Sequence, residues 1–500
     1  MRLTRTRTIS QAFFLALFLW LLFRADFGRI ENYAVSLFLE LDPLSALATI
    51  LSSWTLYAGM ILSLIVVLIT ILLGRVFCGW FCPFGTLNEF VGWLVRPGKR
   101  QARMESNRYR SLFSLKYYLL IAFLVLCVFG ITQIGLLDPI SLLTRSLATS
   151  IYPALGVVTG GWGFAHRTFQ TGWLLGGILL GVLLLNKLIP RFFCRVLCPL
   201  GALLGVLSRF SLFHVYRSVD KCSDCEYCLI KCHGAADPHL SLRKSECFVC
   251  LECRELCPTK GISFRAVPPE KPVVSPLPDL SRRGIIQAGV AAAVAVPLLG
   301  ASVRPVNRPE PLLIRPPGSL PEDKFLGRCV KCGECMKVCP TNAIQPALFE
   351  AGLEGVWTPV MVYRLGYCEY NCTLCTEVCP TGALRELSLQ EKQGREPFDA
   401  PVKLGTAFVD RTRCLPWAMN RPCIVCEEMC PVSPKAIYLE AAEGVDSDGR
   451  TVALQRPVVD PARCIGCGLC ENKCPVFDQR AIRISSVGES RSDTNVLVLE

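Results

Sequence analysis

The cysteines constrain this 500-residue chain most: of its 29, 24 fall after residue 210 in six groups of four. The first group is Cys222, Cys225, Cys228 and Cys232, and the second is Cys247, Cys250, Cys253 and Cys257. The third holds Cys329, Cys332, Cys335 and Cys339, and the fourth Cys368, Cys372, Cys375 and Cys379. The fifth, with a widened first gap, holds Cys414, Cys423, Cys426 and Cys430, and the sixth Cys464, Cys467, Cys470 and Cys474. Three thiols at two-residue gaps let one short loop wrap three corners of a cubane, while a fourth Cys followed by Pro reaches the neighbouring cluster. Structural zinc uses separated Cys-x-x-Cys pairs, and a disulfide framework gains nothing from such regular triplets. Six [4Fe-4S] clusters are therefore expected. Cys257 should complete the set begun by Cys222, Cys225 and Cys228, and Cys232 the set begun by Cys247, Cys250 and Cys253. The same exchange is expected between quartets three and four, and between five and six. Cys232 is followed by His233 instead of Pro, and inserted residues after Cys368 and Cys414 make those two the least secure ligands.

Before the quartets the chain is a different material. Its length allows about three domains, and 51% hydrophobic against 19% charged residues is too apolar for one soluble globule. Four apolar stretches, about Thr8 to Phe23, Trp54 to Phe77, Tyr117 to Leu137 and Gly172 to Ile189, approach the roughly 20 residues a helix needs to cross about 30 Å of hydrocarbon. The first is the shortest. It has no small-residue cleavage site and three spans behind it, so it reads as an anchor and not a cleaved signal. Arg2, Arg5 and Arg7 precede span one, and Arg75, Arg96, Lys99, Arg100, Arg103, Arg108, Arg110 and Lys116 crowd the loop between spans two and three. Those ends should be cytoplasmic. The net charge of +12 thus signals topology, and nucleic acid is not an expected partner. The four histidines (His166, His214, His233, His239) all lie outside the apolar spans, and no Cys-x-x-Cys-His occurs, which excludes bis-histidine and c-type haem.

The membrane half repeats itself. "LDPLSAL" at Leu41 recurs as "LDPISLL" at Leu137, and "FCGWFCPFGTL" at Phe77 recurs as "FCRVLCPLGAL" at Phe193. Each Asp-Pro reads as an N-cap followed by Pro at the first helical position, in preference to a proton-accepting role for Asp42 and Asp138. If the Cys-x-x-x-Cys segments begin helices, each pair of thiols shares a face. Pairing of the repeats would then gather Cys78, Cys82, Cys194 and Cys198 into one soft metal or iron-sulfur site. The alternative, two pairs of thiols that never meet, stays open. Cys127, alone in mid-span, is a packing residue.

Between quartets two and three runs a Pro-rich stretch, "AVPPEKPVVSPLPDL", then "SRRGIIQAGVAAAVAVPLLGASV". Arg282 and Arg283 before an Ala- and Gly-rich apolar segment look like a twin-arginine export signal placed internally. Clusters are inserted in the reducing cytosol, and bare thiols threaded into an oxidising compartment would form disulfides, so the following domain should cross already folded. The competing reading is a buried helix in one cytoplasmic protein.

Spans with "FCGWFCPFG" and "FCRVLCPLG", the Asp-Pro repeats and quartets one and two resemble the membrane ferredoxin NapH and its relative MauN. The segment from the twin Arg through "LLIRPPGSL" and quartets three to six resembles NapG and MauM, the exported four-cluster ferredoxins. The expected fold class is an α-helical membrane domain of four spans in two repeats, with a fifth anchor helix, followed by α+β bacterial-type ferredoxin domains. The expected domains are 1–210 in the membrane, 211–265 as a cytoplasmic two-cluster ferredoxin, 266–303 as linker and anchor, and 304–500 as an exported four-cluster ferredoxin. The resemblance implies electron transfer from quinol to a periplasmic or exported redox enzyme or cytochrome, carried on another polypeptide. Nothing beside the clusters offers a hydride acceptor, flavin fold or nucleotide loop, and no catalytic residue is assigned. A second class of function is maturation or metal handling at Cys78, Cys82, Cys194 and Cys198. A redox sensor is disfavoured because no output domain follows Cys474. Purified without oxygen, the chain should carry about 24 iron atoms and as much acid-labile sulfide, four per quartet; stoichiometric zinc with little iron would refute the cluster assignment.

Overall fold

Side chains that cap helix starts set the architecture of the membrane half. A computed structural model describes residues 2–25, 34–55, 57–95, 100–159, 167–266, 280–300, 313–445 and 449–495. Its main helices up to residue 210 are α1 (Arg2–Arg24), α2 (Pro43–Ser53), α3 (Ser63–Leu73), α4 (Pro83–Leu94), α5 (Leu115–Val128), α6 (Pro139–Ser146), α7 (Gly172–Leu184) and α8 (Pro199–Ser208). Asp42 caps α2, accepting from the Leu44 and Ser45 N–H groups at 3.0 and 3.2 Å. Asp138 caps α6, accepting from Ser141 N–H at 2.7 Å. In α4 and α8 a thiol takes the carboxylate's place: Cys82 Sγ accepts from Gly85 N–H at 3.3 Å, and Cys198 Sγ from Gly201 N–H at 3.2 Å. In all four, Pro occupies the first turn, where its missing N–H costs nothing. A single π turn precedes each Cys-Pro pair, at Phe77–Phe81 and Phe193–Leu197. The two copies of the sequence signature therefore fold alike.

The expected spans differ in length from these helices. Leu3–Arg24, Ser111–Val128 and Arg282–Leu299 are long and apolar enough to cross a membrane, whereas the helices in spans two and four, Ala58–Leu73 and Gly172–Lys187, are shorter. Gly74 at φ 85° and Arg191 at φ 54° turn the chain before the π turns begin, and Gly130 at φ 83° ends span three ahead of Leu137. The Pro-rich linker at 267–279, the stretch 301–312, His166, Arg96 and Lys99 lie outside the described residues.

After the bundle, helices shrink to one or two turns and short strand pairs close each ferredoxin unit. β1 (Phe213–Arg217) pairs antiparallel with β2 (Ile262–Ala266) around quartets one and two. Around quartets three and four, Ser319 bridges Leu384, with β3 (Ile344–Pro346) paired to β4 (Pro359–Met361) between them. β5 (Thr406–Val409) pairs with β8 (Ile482–Ser485) around quartets five and six, and β6 (Ile437–Val445) with β7 (Thr451–Val459) forms a hairpin inside that span.

The first ferredoxin unit and the second dock on opposite ends of the bundle. At the Cys-turn end, Trp80 Nε1 donates to Val249 O at 3.0 Å, and Arg75 Nη1 to Ser245 O at 2.5 Å. Lys116 and Tyr117, at the start of α5, both reach Glu246. At the Asp-Pro end, Thr132 Oγ1 donates to Gly327 O at 2.5 Å and Arg145 Nη1 to Lys331 O at 2.7 Å. One helix, α9 (Arg282–Gly300), joins the two ends. It starts beside Tyr118, whose hydroxyl accepts from Ser281 N–H at 3.1 Å, and packs along α5 until Leu299 meets the cluster of Leu126 and Ile131. Its outer face, Ile286, Val290, Val294 and Leu298, is exposed and apolar.

Glycines make both docking contacts possible. A Cβ on Gly135 would lie 1.8 Å from Val330 O, and one on Gly79 2.5 Å from Phe248 O. Gly135→Ala should therefore loosen quartets three to six from the bundle and raise protease sensitivity near Gly327. Gly177→Ala, where nothing lies within 4 Å of the added atom, should leave the digestion pattern unchanged.

Candidate iron-sulfur sites

Each regular quartet places the residues on both sides of its second Cys in the left-handed region. They are Asp224 and Glu226, Val249 and Leu251, Lys331 and Gly333, and Gly466 and Gly468. This repeated turn swings three thiols to one side of the loop. Three concavities then bring thiols of neighbouring quartets together. One of about 340 Å³ is lined by Cys247, Cys250, Cys253 and Cys232. A second, of about 370 Å³, is lined by Cys414, Cys423, Cys426 and Cys474, and a third, of about 320 Å³, by Cys464, Cys467, Cys470 and Cys430. Between quartets three and four, Cys379 acts electrostatically on Cys335 together with Cys329 and Cys332, and Cys339 on Cys375 together with Cys368 and Cys372. Cys222, Cys225 and Cys228 act together in the first unit, where Cys257 packs in the same small core as Cys228. Cys368 and Cys414, despite the insertions, thus stand with their sets. The donor sets fit cubane clusters, with four sulfurs around a cavity and short loops between them.

The second and third units abut each other. Cys332 is buried with the bundle core at the Asp-Pro end. Cys368 N–H donates to Cys467 O at 2.8 Å, and Tyr363 OH to Gly466 O at 2.6 Å, joining quartets four and six. Lys392 lies buried beneath quartet four, with Nζ donating to Glu369 O and Cys372 O at 2.6 Å each. Burial works against its charge, but the Cys368, Cys375 and Cys372 thiolates raise its pKa above the ordinary lysine value.

The membrane thiols converge as well. Cys78, Cys82 and Cys194 all act electrostatically on Cys198, and Asn88 Nδ2, from the first repeat, donates to Cys194 Sγ in the second at 3.4 Å. No three of these sulfurs lie within 4.8 Å of one another, and the same holds for each quartet. Arg75 and Arg191, three residues before the first Cys of each repeat, flank the ring of Phe248 at 4.7 and 5.3 Å. Arg75 acts on Cys78 and Cys198, and Arg191 on Cys194. Phe248 follows Cys247, so this sandwich joins quartet two to the membrane thiols.

Beside it lies a knot of charge that sequence reasoning missed. Arg7 bonds Glu89 at 2.7 Å and also Glu252, Arg191 bonds Glu89, and His233 Nε2 lies 3.4 Å from Glu89 and 3.3 Å from Glu252. Burial opposes ionisation of Glu89, yet His233, Arg191 and Arg7 hold its carboxyl well below the usual range. Among the described residues, Glu89, His233 and Glu252 are the one set of ligand atoms close enough for a single ion, but the two arginines already occupy the carboxylates. Arg195 Nη2 ties this knot to Cys232 O at 2.8 Å. His233 stands where the other five quartets have Pro, and its ring enters this knot. The one signal available in sequence was the recurrence of Arg at equivalent positions, 75 and 191.

Loops that gather four thiols around shared cavities, repeated along the chain, define an iron-sulfur protein of the ferredoxin type. Residues 328–383 and 392–477 match the family model for a 4Fe-4S dicluster domain, and residues 55–100 and 171–217 match one for a 4Fe-4S binding domain. The methylamine utilization ferredoxin-type protein MauM of Methylorubrum extorquens is 37% identical over 216 residues, 41% of this chain and 88% of that protein. MauM of Paracoccus denitrificans is 38% identical over 210 residues, 39% of this chain and 84% of that one. The ferredoxin-type protein NapG of Escherichia coli is 33% identical over 213 residues, 41% of this chain and 86% of the relative. The chain belongs to this family of ferredoxin-type proteins. No solved structure matches it.

A buried cation favours the more negative, reduced state of a neighbouring cluster. Lys392→Met should therefore lower the midpoint of the quartet-four cluster in an EPR-monitored redox titration. Arg385→Gln, whose side chain is half exposed and paired with Glu391, should leave that midpoint in place.

Proposed function

We propose that this chain is a membrane-bound electron-transfer protein that draws electrons from the quinol pool and passes them to an exported redox enzyme or cytochrome. The 24 quartet cysteines hold six [4Fe-4S] clusters, which when bound supply one-electron carriers, and Cys78, Cys82, Cys194 and Cys198 hold one further centre. The Cys-turn end, with residues 211–265, faces the cytoplasm, where Arg2, Arg5 and the loop around Arg100 to Lys116 keep it. The twin Arg282 and Arg283 begin α9 at that same end, and residues 304–500 lie outside.

The observation that carries this reading is the position of the membrane thiols between two ferredoxin units docked at opposite ends of one bundle. Without transmembrane haem, the chain must bridge about 30 Å of hydrocarbon, and the half-length helices bring thiols and caps into its interior from both sides. Arg75, Arg191, the Asn88 amide and the Gly85 and Gly201 N–H groups favour thiolate or an anionic centre at the four sulfurs.

Two experiments test it. In proteoliposomes, quinol should reduce the clusters of the intact chain, followed by absorbance and EPR. Each of Cys78→Ser, Cys82→Ser, Cys194→Ser and Cys198→Ser should abolish that reduction equally while dithionite still reduces the clusters. Unequal losses, with one pair dispensable, would separate the thiols. No quinol reactivity alongside stoichiometric copper at the four would favour metal handling instead. Reporter fusions after Arg265 should read cytoplasmic and after Glu500 external, the latter lost with Arg282→Lys plus Arg283→Lys; persistence in a strain without the twin-arginine translocase would defeat the export assignment.

A further inference from the structure

Quartet five breaks the spacing most, and its extra residues have a use. Eight residues, Leu415–Pro422, separate Cys414 from Cys423. They open with a one-turn helix, Leu415–Ala418, that carries Trp417. Trp417 Nε1 donates to Pro457 O of β7 at 3.2 Å, and the guanidinium groups of Arg411 and Arg456 approach its ring at 4.3 and 4.9 Å. Asn420 Nδ2 donates to Val445 O at 2.9 Å, which holds the tip of the β6–β7 hairpin to the insertion. The Met419 and Arg421 N–H groups both return to Leu415 O at 3.1 Å. The insertion is therefore tied down along its length.

This platform borders thiols. Leu415 and Val476 line the concavity of about 370 Å³ that Cys414, Cys423, Cys426 and Cys474 share. Residues beside that lining turn apolar surface outward: Met419 is 52% exposed, Ile424, next to Cys423, 42%, and Phe477, next to Val476, 81%. Arg480 braces the last of them, with Nη1 donating to Cys474 O at 2.5 Å and Val476 O at 3.2 Å and its guanidinium 5.6 Å from the Phe477 ring. One exposed apolar side chain needs no explanation, but three around a single thiol set mark an interaction site. The sets of the neighbouring quartets are turned to other tasks: Cys332 is buried with the bundle, Lys392 lies beneath quartet four, and Cys467 O accepts from Cys368 N–H. The rim of the face is basic. Arg411, Arg421 and Arg456 have no carboxylate partner among the described residues, whereas Asp410 is taken by Arg483 and Asp478 by Arg413, each at 3.8 Å, and Glu427 by Lys435 at 2.8 Å. Glu428 alone of these acids stands without a cation among the described residues, against three arginines.

We infer that the face of Met419, Ile424 and Phe477, rimmed by Arg411, Arg421 and Arg456, docks an acidic redox protein, and that electrons leave the chain from the thiol set Cys414, Cys423, Cys426 and Cys474. The partner's carboxylates meet the three arginines, and its own redox centre opens on an apolar patch that meets Phe477. The cluster held by the four thiols is oxidised by one electron and the partner's centre is reduced by one, with no bond made or broken. A lipid surface would also suit apolar residues with a basic rim, but a bilayer offers no acceptor to a cluster placed at that rim, and the bundle is docked through Gly327 and Lys331 of the second unit. The direction of flow rests on the electron-transfer reading, while the docking face does not.

The test uses the full chain in detergent micelles, reduced with dithionite, freed of excess reductant and mixed by stopped flow with two oxidised probes. These are soluble monohaem c-type cytochromes of matched potential, one of net negative and one of net positive charge. The acidic probe should oxidise the clusters faster, at a rate that falls as salt rises. Arg411→Glu plus Arg421→Glu should slow the acidic probe about tenfold or more at low salt and speed the basic one, a reversal that a loss of fold would not produce. Phe477→Ser, at an exposed position, should slow both probes while iron content and the EPR signals of the clusters stay as in the wild type. Unchanged rates in either variant, or a wild type that reacts faster with the basic probe, would overturn the proposal. So would a charge preference that appears only when the chain sits in nanodiscs of anionic lipid, which would assign the face to the membrane. Because dithionite supplies the electrons, a failure of quinol to reduce the clusters would count against the electron-transfer reading alone and leave these rates to decide this one.

Discussion

Phe248, whose ring both Arg75 and Arg191 approach with their guanidinium groups at 4.7 and 5.3 Å, is the contact on which the rest of the molecule depends. The two arginines occupy equivalent positions in the two repeats, and both are buried. Burying such ions costs several kcal/mol each unless partners compensate. The compensation comes from parts of the chain far apart in sequence: Ser245 O and Glu246 for Arg75, Glu89 for Arg191, and thiols on each side. Quartet two cannot leave the bundle without stranding those charges. The contact therefore fixes both the docking of the first ferredoxin unit and the convergence of the Cys turns.

Helix starts are the second constraint. A helix that begins inside a bundle exposes N–H groups that a dry interior cannot satisfy, and here two carboxyls and two thiols supply the acceptors. These local features were legible in the sequence, since Asp-Pro and Cys-Pro each join a cap to the residue that follows it. The lengths of spans two and four were not. Gly74 gives a hint of a break, but Arg191 takes a left-handed turn that no residue preference announces, and both helices stop short of the apolar run that encloses them.

The ferredoxin units were far more legible, and for a physical reason. Three thiols around one cubane need a loop of fixed spacing, so candidate sets can be read from the sequence, and Cys474 lines a cavity with three thiols of quartet five while Cys430 lines one with three thiols of quartet six. What surrounds them was hidden. Tyr363 reaches quartet six from beside quartet four, His233 acts through side chains of the bundle, and Lys392 folds back beneath quartet four, contacts about which spacing rules carry no information. The left-handed turns were half visible: Gly333, Gly466 and Gly468 advertise them, whereas Val249, Leu251 and Lys331 do not.

Moving an electron through a low-dielectric bundle places an extra negative charge where solvent cannot answer it. The chain meets this with cations that keep donors in reserve. Arg75 and Arg191 stand between quartet two and the thiols of Cys78, Cys194 and Cys198, and Arg145 stands between Asp138 and quartet three, each buried with at least one guanidinium N–H unpartnered among the described residues. A fully satisfied arginine would already have spent its field on a fixed acceptor. One with free donors can respond to charge arriving nearby. Positions that would be flaws in a purely structural core are, in this arrangement, the places where the interior can accommodate a change of charge.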